Sequence, residues 1–236
     1  MLLCALLPSC SRQPLAPDLK KEIEEVSAVS LLGSDFTIDV ISRSVISSKE
    51  RALDVSAWKV DETFRSLLEE HSKERGKNFR TLALDPGSLE KALAVRESRW
   101  KKILGTHSQA ALDLLLRKAG EQRIHYLFLV SPLENRRDFP LHKGNMGIYC
   151  YDRKLLKSRA YAYFFLDFSL WDVKAKKKIF REAVDPAYTQ EMAFAECREV
   201  AELKEPLEAL KDPVHHTMKL LVDKLFTKMG WEKTAP

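Results

Sequence analysis

The order of apolar and polar positions divides this chain into strand-like and helix-like stretches. Residues 26–32 form a short apolar run closed by Gly33, the pattern of a buried strand. Phe36, Ile38 and Val40 then alternate with polar residues, and Leu53, Val55 and Ala57 repeat the alternation before Trp58. These two segments are expected to pair as antiparallel neighbours across the Ser-rich stretch 42–49. Asp61 is placed to cap a helix with Phe64, Leu67 and Leu68 on one face. Phe79, Leu82 and Leu84 read as a strand closed by Asp85, Pro86 and Gly87. Residues 88–119 carry the pattern of two helices broken near Gly105, with Gly120 ending the second.

The second half is richer in strands. Residues 124–130, IHYLFLV, are aromatic, β-branched and nearly all apolar, as expected of a central strand ended by Ser131 and Pro132. A polar loop over 133–145 follows, then a strand over 146–151. Residues 160–171, AYAYFFLDFSLW, are longer than an ordinary strand and are expected to run along most of a sheet. Residues 172–176 form a turn rich in Asp and Lys, and 177–184 return as a strand. Residues 206–229 read as an amphipathic helix with Val214, Met218, Leu221, Leu225 and Phe226 on one face.

Strands interleaved with helices imply parallel pairing, and successive strands imply antiparallel pairing. The expected fold is therefore α/β (α+β): a single mixed β-sheet with helices packed on it, parallel in its first half and an antiparallel hairpin in its second. Residues 25–232 are expected to form one such domain. The composition agrees, being 45% hydrophobic and 31% charged, with 8 Gly and 10 Pro too few for a linker-like chain. The net charge of +5 is spread along the sequence, and nucleic acid is not the expected partner. The densest basic run, 174–178, reads as a solvated hairpin tip.

No stretch reaches the roughly 18 to 20 apolar residues that span a bilayer, so membrane attachment would need an anchor. The first ten residues, MLLCALLPSC, place an apolar run before Leu7, Pro8, Ser9 and Cys10. This resembles the processing site of bacterial lipoproteins, with a Leu three residues before the modified Cys and a small residue just before it. The resemblance implies a signal segment over 1–9, cleavage before Cys10 and acyl chains on Cys10, which would anchor far better together than singly. Residues 10–24 would then be a tether. The alternative is an apolar N-terminus on a cytoplasmic protein. Of the four Cys, Cys150 and Cys197 would remain after processing, either as one disulfide or as two buried thiols.

The element order resembles the α/β domain of the curli-secretion lipoprotein and the N-terminal domain of the Tol-system propeller protein. The likeness is carried by the glycine-marked strand GNMGIYCY over 144–151 and by the strand ending LDFSLWDVKAKKKIF. The chain also resembles uncharacterised bacterial lipoproteins with a VSLLG strand, here 29–33, and a Trp-x-Val-Asp step, here 58–61. The resemblance implies a fold and an envelope location, on the periplasmic face of the outer membrane before the inner. It implies a membrane contact through the lipid and a role in binding a protein partner or in self-association. It carries over no catalytic residue and no cofactor.

Motifs for catalysis are scarce. There is no G-x-S-x-G, no Walker A motif and no G-x-G-x-x-G. The six His include no HExxH, and no metal site is expected; His215 and His216 are adjacent, so on a helix they point about 100° apart. His125 is expected to be a core or edge residue of the central strand. Asp39 is expected on the solvent face of its strand, which leaves paired-carboxylate catalysis unsupported. One constellation stands out: Arg136, Arg137, Asp138, His142, Lys143 and Asn145, in the loop after the central strand. Open α/β sheets bind ligands at the carboxyl ends of their strands. That loop could hold an anion or a partner, or serve an α/β enzyme, which is the alternative to a binding module.

Overall fold

The strand-like runs fold into a mixed α/β arrangement, but in two sheets rather than one. The structure, a computed structural model, describes residues 12–41, 48–85, 87, 107–133, 145–151, 159–184, 190–192 and 208–233. The larger sheet contains β1 (Arg12–Gln13), β2 (Glu25–Ser30), β5 (Asn78–Thr81), β6 (Tyr126–Pro132), β9 (Leu166–Asp172) and β10 (Lys177–Val184). Their order is β1-β10-β9-β6-β2-β5. The smaller sheet contains β3 (Asp35–Ile41), β4 (Ser48–Asp54), β7 (Met146–Tyr151), β8 (Arg159–Phe164) and β11 (Gln190–Met192), in the order β11-β8-β7-β3-β4. The expected split holds: β2 pairs parallel with β5 and β6, whereas β6, β9 and β10 pair antiparallel.

The two orders explain the second sheet. β10, β9, β6 and β2 have as their neighbours in the chain β11, β8, β7 and β3, side by side in the same order. Four chain segments thus cross from one sheet to the other together. The expected single strand over 160–171 is interrupted at Phe165, between β8 and β9. The Phe165 N–H donates to the Asn145 carbonyl at 2.8 Å, and its own carbonyl accepts from the Leu133 N–H at 2.9 Å. These bonds tie the crossing at 165 to both ends of the β6–β7 connection. Between β2 and β3 the turn is made at Gly33, whose φ of 76° suits a residue without a Cβ. Alternation of apolar residues cannot reveal such a break, because the hydrophobic pattern continues through it.

Helices cover both faces of the larger sheet. α2 (Val60–Lys73) and α4 (Glu208–Met229) supply Phe64, Leu68, Val214, Met218 and Phe226 to one face, against Phe79, Phe128 and Phe168. α3 (His107–Glu121) sets Leu112, Leu115, Leu116 and Ala119 against Val29, Leu127 and Leu129 on the other. β6 therefore sends alternate residues into two cores, which is why its sequence is apolar without interruption. Phe79 holds the first core together edge-on, with ring centroids 5.3 Å from Phe226 and 5.5 Å from Phe128.

Local details depart from the sequence reading. Asp61 does not cap its own helix; Lys59, left-handed at φ 49°, precedes Val60 as the helix boundary. The Asp61 carboxylate instead accepts the N–H groups of Leu32 at 2.9 Å and Gly33 at 3.0 Å, together with the Ser30 hydroxyl. It therefore holds the β2–β3 crossing, whose donors have left the ladder. Gly120 lies inside α3 rather than ending it, and the left-handed residue beyond is Arg123 at φ 57°. The segment 10–24, expected as a tether, is built into the fold over its described residues. Arg12 and Gln13 pair with Glu182 and Arg181, α1 (Pro17–Glu22) follows, and Leu15 and Ile23 are buried in the main core.

Candidate functional site

Most of the loop singled out by sequence lies outside the described residues: Arg136, Arg137, Asp138, His142 and Lys143 all do, as does Cys10. Asn145 is described. It is half-buried at the foot of β7, and its carbonyl holds Phe165. Cys150 faces the core from β7, and Cys197 lies outside the described residues.

A different site assembles at the other end of the larger sheet, where β6 begins and the β9–β10 hairpin turns. The carboxyl half of α3, the 123–125 turn and the hairpin tip enclose an open groove of about 1100 Å³. Its walls carry Arg117, Arg123, His125, Lys174 and Lys176, with Asp113 as the lone carboxylate among its described lining residues. Leu114, Ile124 and Val173 supply the apolar lining. Val173 is buried against α3, and Leu114 and Ile124 pack on the edge of the same cluster. The geometry follows from the local sequence. Asp172 accepts the Ala175 N–H at 2.8 Å, a tight Asx-type turn that throws Lys174 and Lys176 outward. The left-handed Arg123 reverses the chain after α3, where Ile124 N–H bonds back to the Ala119 carbonyl at 3.0 Å.

The sequence reads 174–178 as a solvated tip and His125 as a core or edge histidine. In the fold His125 is exposed and lines the groove, and the basic run divides. Lys174 and Lys176 face the groove, whereas Lys178 lies over the Trp171 ring at 5.0 Å. The signal in the sequence is indirect, since Arg117 and Arg123 lie some fifty residues from the hairpin and only the pairing of β6 with β9 brings them together.

The expected solvent-facing Asp39 is in fact buried, at 3% exposure, on the face of the smaller sheet opposite the main core. Tyr163 donates its hydroxyl to the Asp39 carboxylate at 2.7 Å, reaching from β8 across β7. The strand between them is crossed at Gly147, which pairs with Tyr163 on one side and Thr37 on the other. A Cβ there would overlap the Thr37 carbonyl and lie 2.8 Å from the Tyr163 hydroxyl. Gly147 in the glycine-marked strand thus allows a close backbone approach.

A second charged knot joins the chain ends. Arg75 is buried, donating to the Trp231 carbonyl at 3.0 Å, the His71 carbonyl at 2.8 Å and the Asp223 carboxylate at 2.6 Å. Partial burial pushes the Asp223 carboxyl up, but the Arg75 hydrogen bond and nearby Lys233 outweigh it and hold the group below its ordinary value. Lys77 donates to the carbonyls of Lys20 and Ile23, and burial lowers its ammonium. These contacts close the fold around Trp231. Among the described residues, no group of three or more His, Cys, Asp or Glu is placed to hold a metal.

No family model matches this chain, and no curated protein does. Among solved structures it is similar to a dodecamer of a single-residue variant of PelC from Paraburkholderia phytofirmans, at 9% identity and a TM-score of 0.36, over 92% of this chain and 93% of that one.

Proposed function

We propose that this chain is a lipid-anchored cell-envelope protein that acts by binding another protein or assembling with itself, held on the periplasmic face of a membrane through Cys10. The reading starts from the Leu-Pro-Ser-Cys sequence at 7–10. The observation that carries it further is the pairing of Arg12 and Gln13 with Glu182 and Arg181. Two residues span at most about 7 Å, so acyl chains on Cys10 would hold the larger sheet against the bilayer rather than on a long tether.

The pairing also supplies a direction. β1 runs antiparallel to β10, so the chain reaches Arg12 from the Val184 end, where the two sheets meet. The basic groove opens at the opposite end of β10, beside the hairpin tip. An anchored protein would therefore present that groove away from its point of attachment. Such an arrangement suits a module that recruits a partner at the membrane surface.

The test is acylation and fractionation of the full chain expressed in a bacterium. Incorporation of a palmitate analogue that disappears in Cys10→Ala, with the variant released from the membrane fraction, is the expected result. No incorporation, with Cys10→Ala fractionating like the unaltered chain, would overturn the proposal.

A further inference from the structure

The groove between α3 and the β9–β10 hairpin combines two properties that together define an occupant. Its walls bear four fixed cations, Arg117, Arg123, Lys174 and Lys176, against Asp113. Among the described residues, Arg123, Lys174 and Lys176 have no carboxylate partner, and Arg117 has only an exposed contact with Glu121 at 4.0 Å. The carboxyl end of α3 points its partial negative charge here, but a helix terminus amounts to about half a charge and cannot balance this excess. The lining is apolar through Leu114, Ile124 and Val173.

We propose that this groove binds an acidic segment of a partner protein, seating an apolar side chain on Leu114, Ile124 and Val173 while flanking carboxylates meet Arg117, Arg123, Lys174 and Lys176. Charge complementarity selects the acidic partner and would speed encounter. The apolar lining selects a peptide over other polyanions. A nucleic acid would satisfy the cations through phosphates and leave the lining unused. A flat bilayer surface would meet the rim of a concave site and not its floor. Guanidinium groups from Arg117 and Arg123 suit bidentate contact with carboxylates. This inference rests on the reading that the protein works by binding another protein.

The probe is a fluorescent peptide alternating Glu and Leu, titrated with the full-length chain and followed by anisotropy at low and at physiological salt. Peptide binding is expected, weakened by salt, with Kd raised about 10-fold or more in Lys174→Glu/Lys176→Glu. Both positions are exposed turn residues, and far-UV circular dichroism would check that the double variant is folded. Leu114→Gln should weaken the Glu–Leu peptide severalfold while leaving a Glu–Ser peptide of equal charge unchanged. Equal affinity for both peptides in the unaltered protein would overturn the apolar part of the proposal. No peptide binding, or binding indifferent to the double variant, would overturn it entirely. So would tighter binding to single-stranded DNA or to phosphatidylglycerol vesicles, or a low-salt dimer of the chain abolished by the double variant, which would assign the groove to those occupants. Cys10 acylation is read separately: an intact adduct without peptide binding removes the groove alone, and peptide binding without an adduct removes the anchor alone.

Discussion

Gly147→Ala should destabilise the fold far more than one methyl group suggests. The new Cβ would overlap the Thr37 carbonyl on the neighbouring strand and lie 2.8 Å from the Tyr163 hydroxyl. The first contact is with main chain, inside a parallel pairing that runs from Thr37–Gly147 to Ile41–Tyr151, so a side-chain rotation cannot relieve it. Forcing extra volume into packed structure costs about 1 to 3 kcal/mol. If β7 shifts enough to part Tyr163 from Asp39, a buried hydrogen bond to a carboxylate is lost as well, worth about 1.5 to 3 kcal/mol. The total expected is roughly 2.5 to 6 kcal/mol. Urea unfolding followed by circular dichroism would measure it as a fall in the midpoint. Tyr163→Phe removes the hydrogen bond without the overlap and should cost only the hydrogen-bond part. Because the main clash is with Thr37, the double variant should stay as unstable as Gly147→Ala. A Gly147→Ala stability within about 0.5 kcal/mol of the unaltered protein would refute the reasoning, as would rescue by Tyr163→Phe.

Two further outcomes follow from part-buried polar contacts. Asp61→Ala leaves the Leu32 and Gly33 N–H groups and the Ser30 hydroxyl without their acceptor, and should cost about 2 to 4 kcal/mol; an unchanged melting temperature would contradict that role. Asp223 has a folded-state pKa below its ordinary value of 3.8, so its contribution is complete above that pH and is lost as pH falls through the lower, folded value. Asp223→Asn should therefore lose stability at neutral pH and show a flatter decline on acidification, read from melting temperatures across the acid range; parallel curves for the two proteins would contradict the linkage.

Helices and strands were legible where periodicity was strong. The hairpin turning at 172–176 and the amphipathic face of the last helix lie where alternation and 3.6-residue spacing place them, whereas the strand expected over 124–130 runs from Tyr126 to Pro132, through the Ser131 and Pro132 expected to end it. The division into two sheets was not legible. Phe165 sits within an unbroken apolar run, and the reason it leaves the ladder is a pair of main-chain bonds to Leu133 and Asn145, which no pattern of side chains encodes. The same holds for Asp39. A carboxylate on a polar stripe reads as solvated, whereas in the fold it is buried with the Tyr163 hydroxyl reaching it across Gly147. The groove was half legible: Lys174 and Lys176 stand out as a basic run, but Arg117, Arg123 and His125 join them through sheet pairing. The short N-terminal segment reads as a tether because its composition is polar and Pro-containing. Its strand pairing rests on two residues, below the length at which alternation carries information.

In the proposed function Cys10 bears lipid and holds the domain against a membrane. Intact-mass and peptide mass spectrometry of the full chain purified from bacterial membranes tests it directly. The expected product has a mature N-terminus at Cys10 carrying acyl groups, absent in Cys10→Ala. A chain that retains residues 1–9 with an unmodified Cys10, recovered in the soluble fraction, would contradict it.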